Sequence, residues 1–158
     1  YSGTLSFNLS AEVEDRQYQG SVTGDQVSPV FTLSGSYSPF PYTTLTLTGQ
    51  RAFNPSYNLT GQDYMATSIS FIGRQRFFQK FYYNLGAGYE NDNYEGAGIA
   101  LAGPNREDNY FYVTTGVDWN PNSWLQASIY YRYQKDDSNF DAFAFNDNQV
   151  GVSASFSY

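Results

Sequence analysis

Polar and apolar side chains alternate along most of this chain. In its last nine residues Val150, Val152, Ala154, Phe156 and Tyr158 share one side, and Gly151, Ser153, Ser155 and Ser157 share the other. A period of two marks an extended strand whose faces meet different surroundings. Seven further runs repeat the pattern, which predicts strands near 2–14, 27–38, 42–53, 64–74, 81–90, 109–119, 124–134 and 150–158. The first sets Leu5, Phe7, Leu9, Ala11 and Val13 against Thr4, Ser6, Asn8 and Ser10. The seventh sets Leu125, Ala127, Ile129, Tyr131 and Tyr133 against Gln126, Ser128, Tyr130 and Arg132. The fourth, with Met65, Thr67, Ile69 and Phe71 opposed to Ala66, Ser68 and Ser70, is the least regular.

The connections alternate in length. Those at 38–41, 75–79 and 120–123 are short; those at 15–26, 54–63, 91–108 and 135–148 are long and polar. Each run is about ten residues, the length a tilted strand needs to cross a hydrocarbon layer. Short turns on one rim and long loops on the other are the plan of a membrane barrel. The expected fold is therefore all-β: a single domain over 1–158, a transmembrane up-and-down antiparallel β-barrel of about eight strands. Backbone groups in lipid must all be paired, so these strands must close on one another or join further strands.

Charge separates the two rims independently. Fourteen of the 15 acidic residues lie in or beside long loops with five basic ones, while Arg74, Arg76 and Lys80 cluster at a short turn with Asp118 close by. Mid-strand positions are nearly uncharged, as lipid requires, because a charge facing the bilayer centre costs about 2–4 kcal/mol. Aromatic residues gather near strand ends. Tyr37, Tyr42, Phe81, Trp119, Trp124, Phe156 and Tyr158, together with Phe40, Phe77 and Phe78, form a predicted interfacial girdle at the short-turn rim. Phe53, Tyr64, Tyr89, Phe111, Tyr131 and Tyr133 form its counterpart at the other rim.

Composition removes several alternatives. No apolar run of about 18 residues offers a membrane helix. The mean hydropathy of −0.53 is diluted because every second strand residue faces away from lipid. The 16 Tyr, 13 Phe and two Trp are too many for a disordered polar chain. Without cysteine or histidine the chain has no disulfide, no thiol chemistry, no His-dependent catalytic group and no usual zinc site. A Ser–Lys pair would need Lys80 or Lys135, which this plan puts at opposite rims. The net charge of −7 disfavours nucleic acid. No leader pattern precedes Tyr1, which already sits in an alternating segment, so a mature or trimmed chain is expected.

A chain ending on an alternating strand with a terminal aromatic resembles bacterial outer-membrane barrels. More specifically, 35–47 (Gly-Ser-Tyr-Ser-Pro-Phe-Pro-Tyr-Thr-Thr-Leu-Thr-Leu), 116–125 (Gly-Val-Asp-Trp-Asn-Pro-Asn-Ser-Trp-Leu) and Tyr131-Arg132-Tyr133 resemble the β-barrel porin type 2 family. The resemblance implies an integral outer-membrane barrel, porin-like or structural, and a link to exopolysaccharide export. Family members are often longer, so the chain is read either as a compact eight-stranded version or as the C-terminal part of a larger barrel.

The side of the strands turned from lipid carries mainly Ser, Thr, Gly, Asn and Gln, with Tyr82, Tyr110, Tyr112 and Tyr130 bulky in the second half. Glu12, Gln50, Glu90, Tyr112, Tyr130 and Arg132 are the candidate lumen and mouth residues, with Gln134 near them. Two interiors are consistent with this: a plugged, hydrogen-bonded core, since eight strands enclose little more than their own side chains, or a polar conduit, since small inward residues leave room for water. Acidic stretches at 90–95 and 135–139 lack the spacing of a calcium loop. Loop aromatics could stack on sugars or pack against each other. The expected partners are the bilayer and lipopolysaccharide, the barrel assembly machinery, and polysaccharide or other outer-membrane subunits. No catalytic residue, cofactor or metal is expected. The competing functions are a cation-favouring porin-like component and a non-conducting scaffold whose long loops bind polysaccharide or a partner protein.

Overall fold

The computed structural model describes residues 3–16, 26–55, 63–95 and 106–157. It has eight strands: β1 (Thr4–Arg16), β2 (Gln26–Ser38), β3 (Thr43–Pro55), β4 (Asp63–Phe77), β5 (Phe81–Glu95), β6 (Arg106–Trp119), β7 (Leu125–Ser138) and β8 (Phe145–Phe156). They form one antiparallel sheet in chain order, β1 to β8. The up-and-down plan expected from loop lengths is therefore observed.

Register converts eight separate alternations into two continuous surfaces. Cross-strand partners lie on the same side of a sheet. Leu9 pairs with Leu33, Leu33 with Gly49 and Gly49 with Ile69. Ile69 then pairs with Tyr89, Tyr89 with Phe111, and farther on Ile129 with Val152. Every predicted apolar set falls on this one face. A slip of one residue in any strand would have turned its set over.

No second layer covers either face. Among the described residues only Phe53, Met65, Ala66, Gly86, Gly88 and Asp108 are buried, while Phe7 is 72% and Val152 78% exposed. A sheet in water would have to bury such a surface to fold at all. Such a face is suited to contact with lipid.

The strands are longer than their alternation, at up to 15 residues in β4 and β5. About ten residues counted from the short-turn rim suffice to cross the hydrocarbon; the rest project beyond it at the long-loop rim. There both faces meet water, so the period fades although the ladder of backbone hydrogen bonds continues. Consequently the connection expected at 135–148 contracts to six residues, because β7 runs to Ser138 and β8 starts at Phe145.

The short-turn rim is tight and aromatic. Tyr42, Phe78 and Gln79 adopt positive φ angles of 67°, 46° and 40° to reverse the chain, an arrangement that favours glycine or asparagine. Phe77 stacks on Phe81 at 5.7 Å and Phe81 on Trp119 at 6.4 Å, while Trp124 stacks on Phe156 at 6.2 Å. Tyr37 packs beside Gly3, and the Arg76 guanidinium sits over the Tyr42 ring. Tyr158 lies outside the described residues. At the other rim the Tyr89 hydroxyl donates to Asn109 Oδ1 at 2.5 Å and Tyr131 to Asn148 Oδ1 at 2.6 Å. Both acceptors lie one step nearer the rim, so the polar ends of these rings point away from the hydrocarbon. Tyr64, expected in that girdle, stands instead on the polar face, stacked on Tyr94 at 4.7 Å.

Described residues of β1 and β8 make no contact with each other, and the backbone of each strand lies against only its sequence neighbours. The sheet is thus an arc with two unpaired edges.

Candidate functional site

The polar face is built from the alternate positions of all eight strands, and its two halves differ. On β1 to β3 it carries short hydroxyl chains, with Ser34 and Thr48 side by side at 3.4 Å and Thr46 donating to Ser36 at 3.4 Å. On β5 to β8 glycines oppose tyrosines: Gly88 pairs with Tyr112, Gly116 with Tyr130, and Tyr130 with Gly151. A Cβ added at Gly88 would come within 2.3 Å of the Tyr112 ring, and one at Gly151 within 2.3 Å of the Tyr130 ring. The rings therefore lie flat along the wall in space that glycine vacates, and do not stand up from it.

This packing bears on the two interiors expected from sequence. A plugged core needs side chains that meet across the arc. The hydrogen bonds on the polar face join the same or adjacent strands, and the Tyr110 ring on β6 reaches past β7 to lie 6.4 Å from the Phe145 ring on β8. Among the described residues the wall is lined rather than filled.

All six candidate lumen residues stand on this face, but they do not form one cluster. Glu12 lies on the edge strand β1, opposite Val30. Gln50, Ser68, Glu90, Tyr110 and Asp136 form one row across β3 to β7. Tyr112 and Gln134 stand in the next row, and Arg132 and Tyr130 lie below it. Arg132 joins two of the rows. Its Nη2 donates to the Tyr110 hydroxyl at 2.9 Å, and its guanidinium lies 5.0 Å from the Tyr112 ring centre. The Tyr110 hydroxyl donates to Gln134 Oε1 at 2.8 Å, and Gln134 Nε2 donates to Asp147 Oδ2 at 3.2 Å. Gln149 Nε2 donates to the same oxygen at 2.8 Å. A hydrogen-bonded ladder thus crosses β6, β7 and β8.

A second cluster, absent from the residues expected on sequence grounds, sits above the ladder at the long-loop rim. Arg106 makes a bidentate pair with Asp108, through Nε to Oδ1 at 3.0 Å and through Nη2 to Oδ2. Its guanidinium lies between the rings of Tyr94 at 4.3 Å and Phe143 at 3.6 Å. Burial opposes the charge of Arg106, but the Asp108 bond and the nearby anions outweigh it and hold its pKa above the ordinary value. Asp92, partnered with Asp108 in the register, is pushed up to about 7, first by burial and then by Glu90, Asp108 and Asp136. Burial and then Asp108 raise Asp136 as well. These residues fall in stretches whose pattern is that of a polar loop. Only pairing β5 with β6 and β7 brings them together.

Counted by register, the polar face near this rim carries Glu12, Glu14, Glu90, Asp92, Asp108, Asp136 and Asp147 against Arg16, Arg106 and Arg132. At the opposite rim Arg74 pairs with Asp118 at 3.3 Å and lies 4.5 Å from the Tyr82 ring centre. Net negative charge is concentrated at one end of the wall.

Residues 15–158 match the family described as Putative beta-barrel porin 2. The chain belongs to that family. No curated protein and no solved structure matched it. The matched span includes β2 to β8 in full, so the two-faced sheet is the porin-family portion itself. The glycine–tyrosine wall and the acidic rim are features of this porin-family chain's own residues.

Proposed function

We propose that this chain forms the wall of a water-filled, cation-favouring porin-like channel in a bacterial outer membrane, with no enzymatic role. The observation that carries this reading is the pair of continuous faces, one apolar through the eight described strands and one polar, with no contact between β1 and β8 among the described residues. Water fills a space bounded by small hydroxyls, amides and flat tyrosines more readily than protein does. The carboxylates at one rim favour cations entering there.

The two unpaired edges bear on channel width. Strand edges cannot stay exposed in hydrocarbon, and eight strands closed on themselves leave an interior only wide enough for side chains. We read the eight strands as an arc of a wider barrel, completed by further strands on both edges. Planar-bilayer recording on the full-length protein tests the function. Stepwise currents with a cation-selective reversal potential are expected. A folded protein that needs no detergent and yields no current steps would overturn the reading.

A further inference from the structure

The apolar face is not uniform. Between β1 and β4 it holds a groove of about 340 Å³ lined by Phe7, Leu33, Leu45, Leu47, Ile69 and Phe71, a volume in the range of small-ligand clefts. Its floor includes Gly35, which pairs with Leu47, and Gly49, which pairs with Leu33 and Ile69. A Cβ added at Gly49 would meet only the Ser68 carbonyl oxygen, at 4.0 Å, so the space above it is open. Leu45 and Gly49 are on one strand, so the groove runs about 14 Å along β3 at strand rise.

Arg51 stands two residues beyond Gly49 on the same strand and face, toward the long-loop rim, with Phe31 and Thr67 as its cross-strand partners. Of the basic residues on the described strands, only Arg51 and Lys135 stand on the apolar side by register. Lys135 is already paired with Asp137 at 2.6 Å. Among the described residues Arg51 has no ion-pair partner, and its Nε is shut off from solvent without a hydrogen bond.

From this geometry we infer that Arg51 and the groove bind one phosphate-bearing membrane lipid, its head group on the guanidinium and one fatty-acyl tail along the glycine floor. The inference rests on the membrane location within the function proposed above and not on ion passage. The groove opens on the face turned from the polar wall, so its occupant comes from the bilayer. A guanidinium at the edge of the hydrocarbon needs a counter-charge, and its planar fork of donors matches phosphate oxygens. A neutral lipid brings no such charge. A second groove on the same face, of about 240 Å³ and lined by Val117, Ile129 and Val150, lacks this feature, because the cation above it on β7 is the paired Lys135. It takes acyl chains without selecting a head group.

The test uses the full-length protein in detergent, titrated with phosphatidylglycerol and, as control, with diacylglycerol of the same chains, and read by native mass spectrometry. One phosphatidylglycerol should be retained at concentrations where diacylglycerol is not. Arg51→Gln should raise the half-occupancy concentration about tenfold, and Arg51→Lys by less. Gly49→Leu, which the open space accommodates, should also weaken retention by filling the trough, whereas Lys135→Gln leaves it unchanged. Both lipids retained alike, or wild-type retention in Arg51→Gln, would overturn the site. Displacement of the lipid by inorganic phosphate at equal concentration would leave the tail no role and overturn it too. Dimers that dissociate on Arg51→Gln, in place of bound lipid, would assign the groove to a second copy of the chain and likewise overturn it. Planar-bilayer recording separates this site from the channel. Selective retention without current steps would remove the channel and keep the site, and current steps without selective retention would do the reverse.

Discussion

Glycine and tyrosine face each other across the strand pairs of the polar wall, and neither can be exchanged alone. Gly151→Ala should push the Tyr130 ring off the wall and destabilise the protein by about 1–2 kcal/mol, because overpacking outweighs the usual gain from replacing a strand glycine. In a Tyr130→Ala background the same change should be neutral or stabilising. Denaturant unfolding of the four proteins in vesicles measures the cycle, and equal effects in both backgrounds would refute the packing. Asp92 supplies a second prediction at this scale. Folded, it binds its proton up to a pH of about 7, against an ordinary value of 3.8. The folded state therefore holds a proton that the unfolded chain has released, and stability is lost as pH rises between those values. Asp136 shifts in the same direction. Unfolding followed from pH 4 to 8 should show this decline, and Asp92→Asn should flatten much of it.

Strand elements owe their identity to what bathes each face. Mid-strand in β3, Leu47 and Thr48 are neighbours in sequence on opposite faces. Leu47→Lys should cost about 2–4 kcal/mol of membrane-folded stability, while Thr48→Lys should cost well under half of that. Similar costs for both would mean that lipid does not contact the apolar face. Where the strands leave the hydrocarbon, side-chain contacts take over. The connection between β7 and β8 is held to β6 by Phe143 on Arg106, and by Asn139, whose backbone N–H donates to the Glu107 carbonyl at 3.1 Å. Arg106→Leu strands the carboxylate of Asp108, which is only 2% exposed. The expected loss is about 3 kcal/mol, most of it restored by adding Asp108→Asn. A double variant as unstable as the single one would contradict the pairing.

Across the whole molecule, the unpaired edges of β1 and β8 set the architecture. The chain has no cysteine, so engineered pairs report cleanly. With Asn8→Cys fixed on β1 and single cysteines placed in turn along β8, no disulfide within one chain should form, because bridging requires Cα atoms within about 7 Å. Efficient intrachain bridging at any position would show that the eight strands close on themselves.

Much of this organisation is legible in the order of residues alone. Alternation identifies eight strands and assigns Leu33, Ile69, Ile129 and Val152 to one face, because a two-sided environment leaves its mark at every second residue. Less is legible where that contrast ends. In 91–95, 135–138 and 145–149 both faces meet water, so these strand extensions carry the pattern of loops, and nothing local ties Asp92, Arg106, Asp108 and Asp136 into one cluster. Tyr112 and Tyr130 are recognisable as bulky inward residues, but their flat orientation depends on glycines in neighbouring strands.

What the sequence determined by itself is therefore the two faces, the up-and-down order and the acidic rim, since each depends on local pattern and on which residues border which turn. The tertiary structure alone decided that glycines receive the tyrosine rings, that distant carboxylates converge on Arg106, and that β1 and β8 stay apart. Those outcomes depend on cross-strand register, which arises only when residues far apart in the chain are laid side by side.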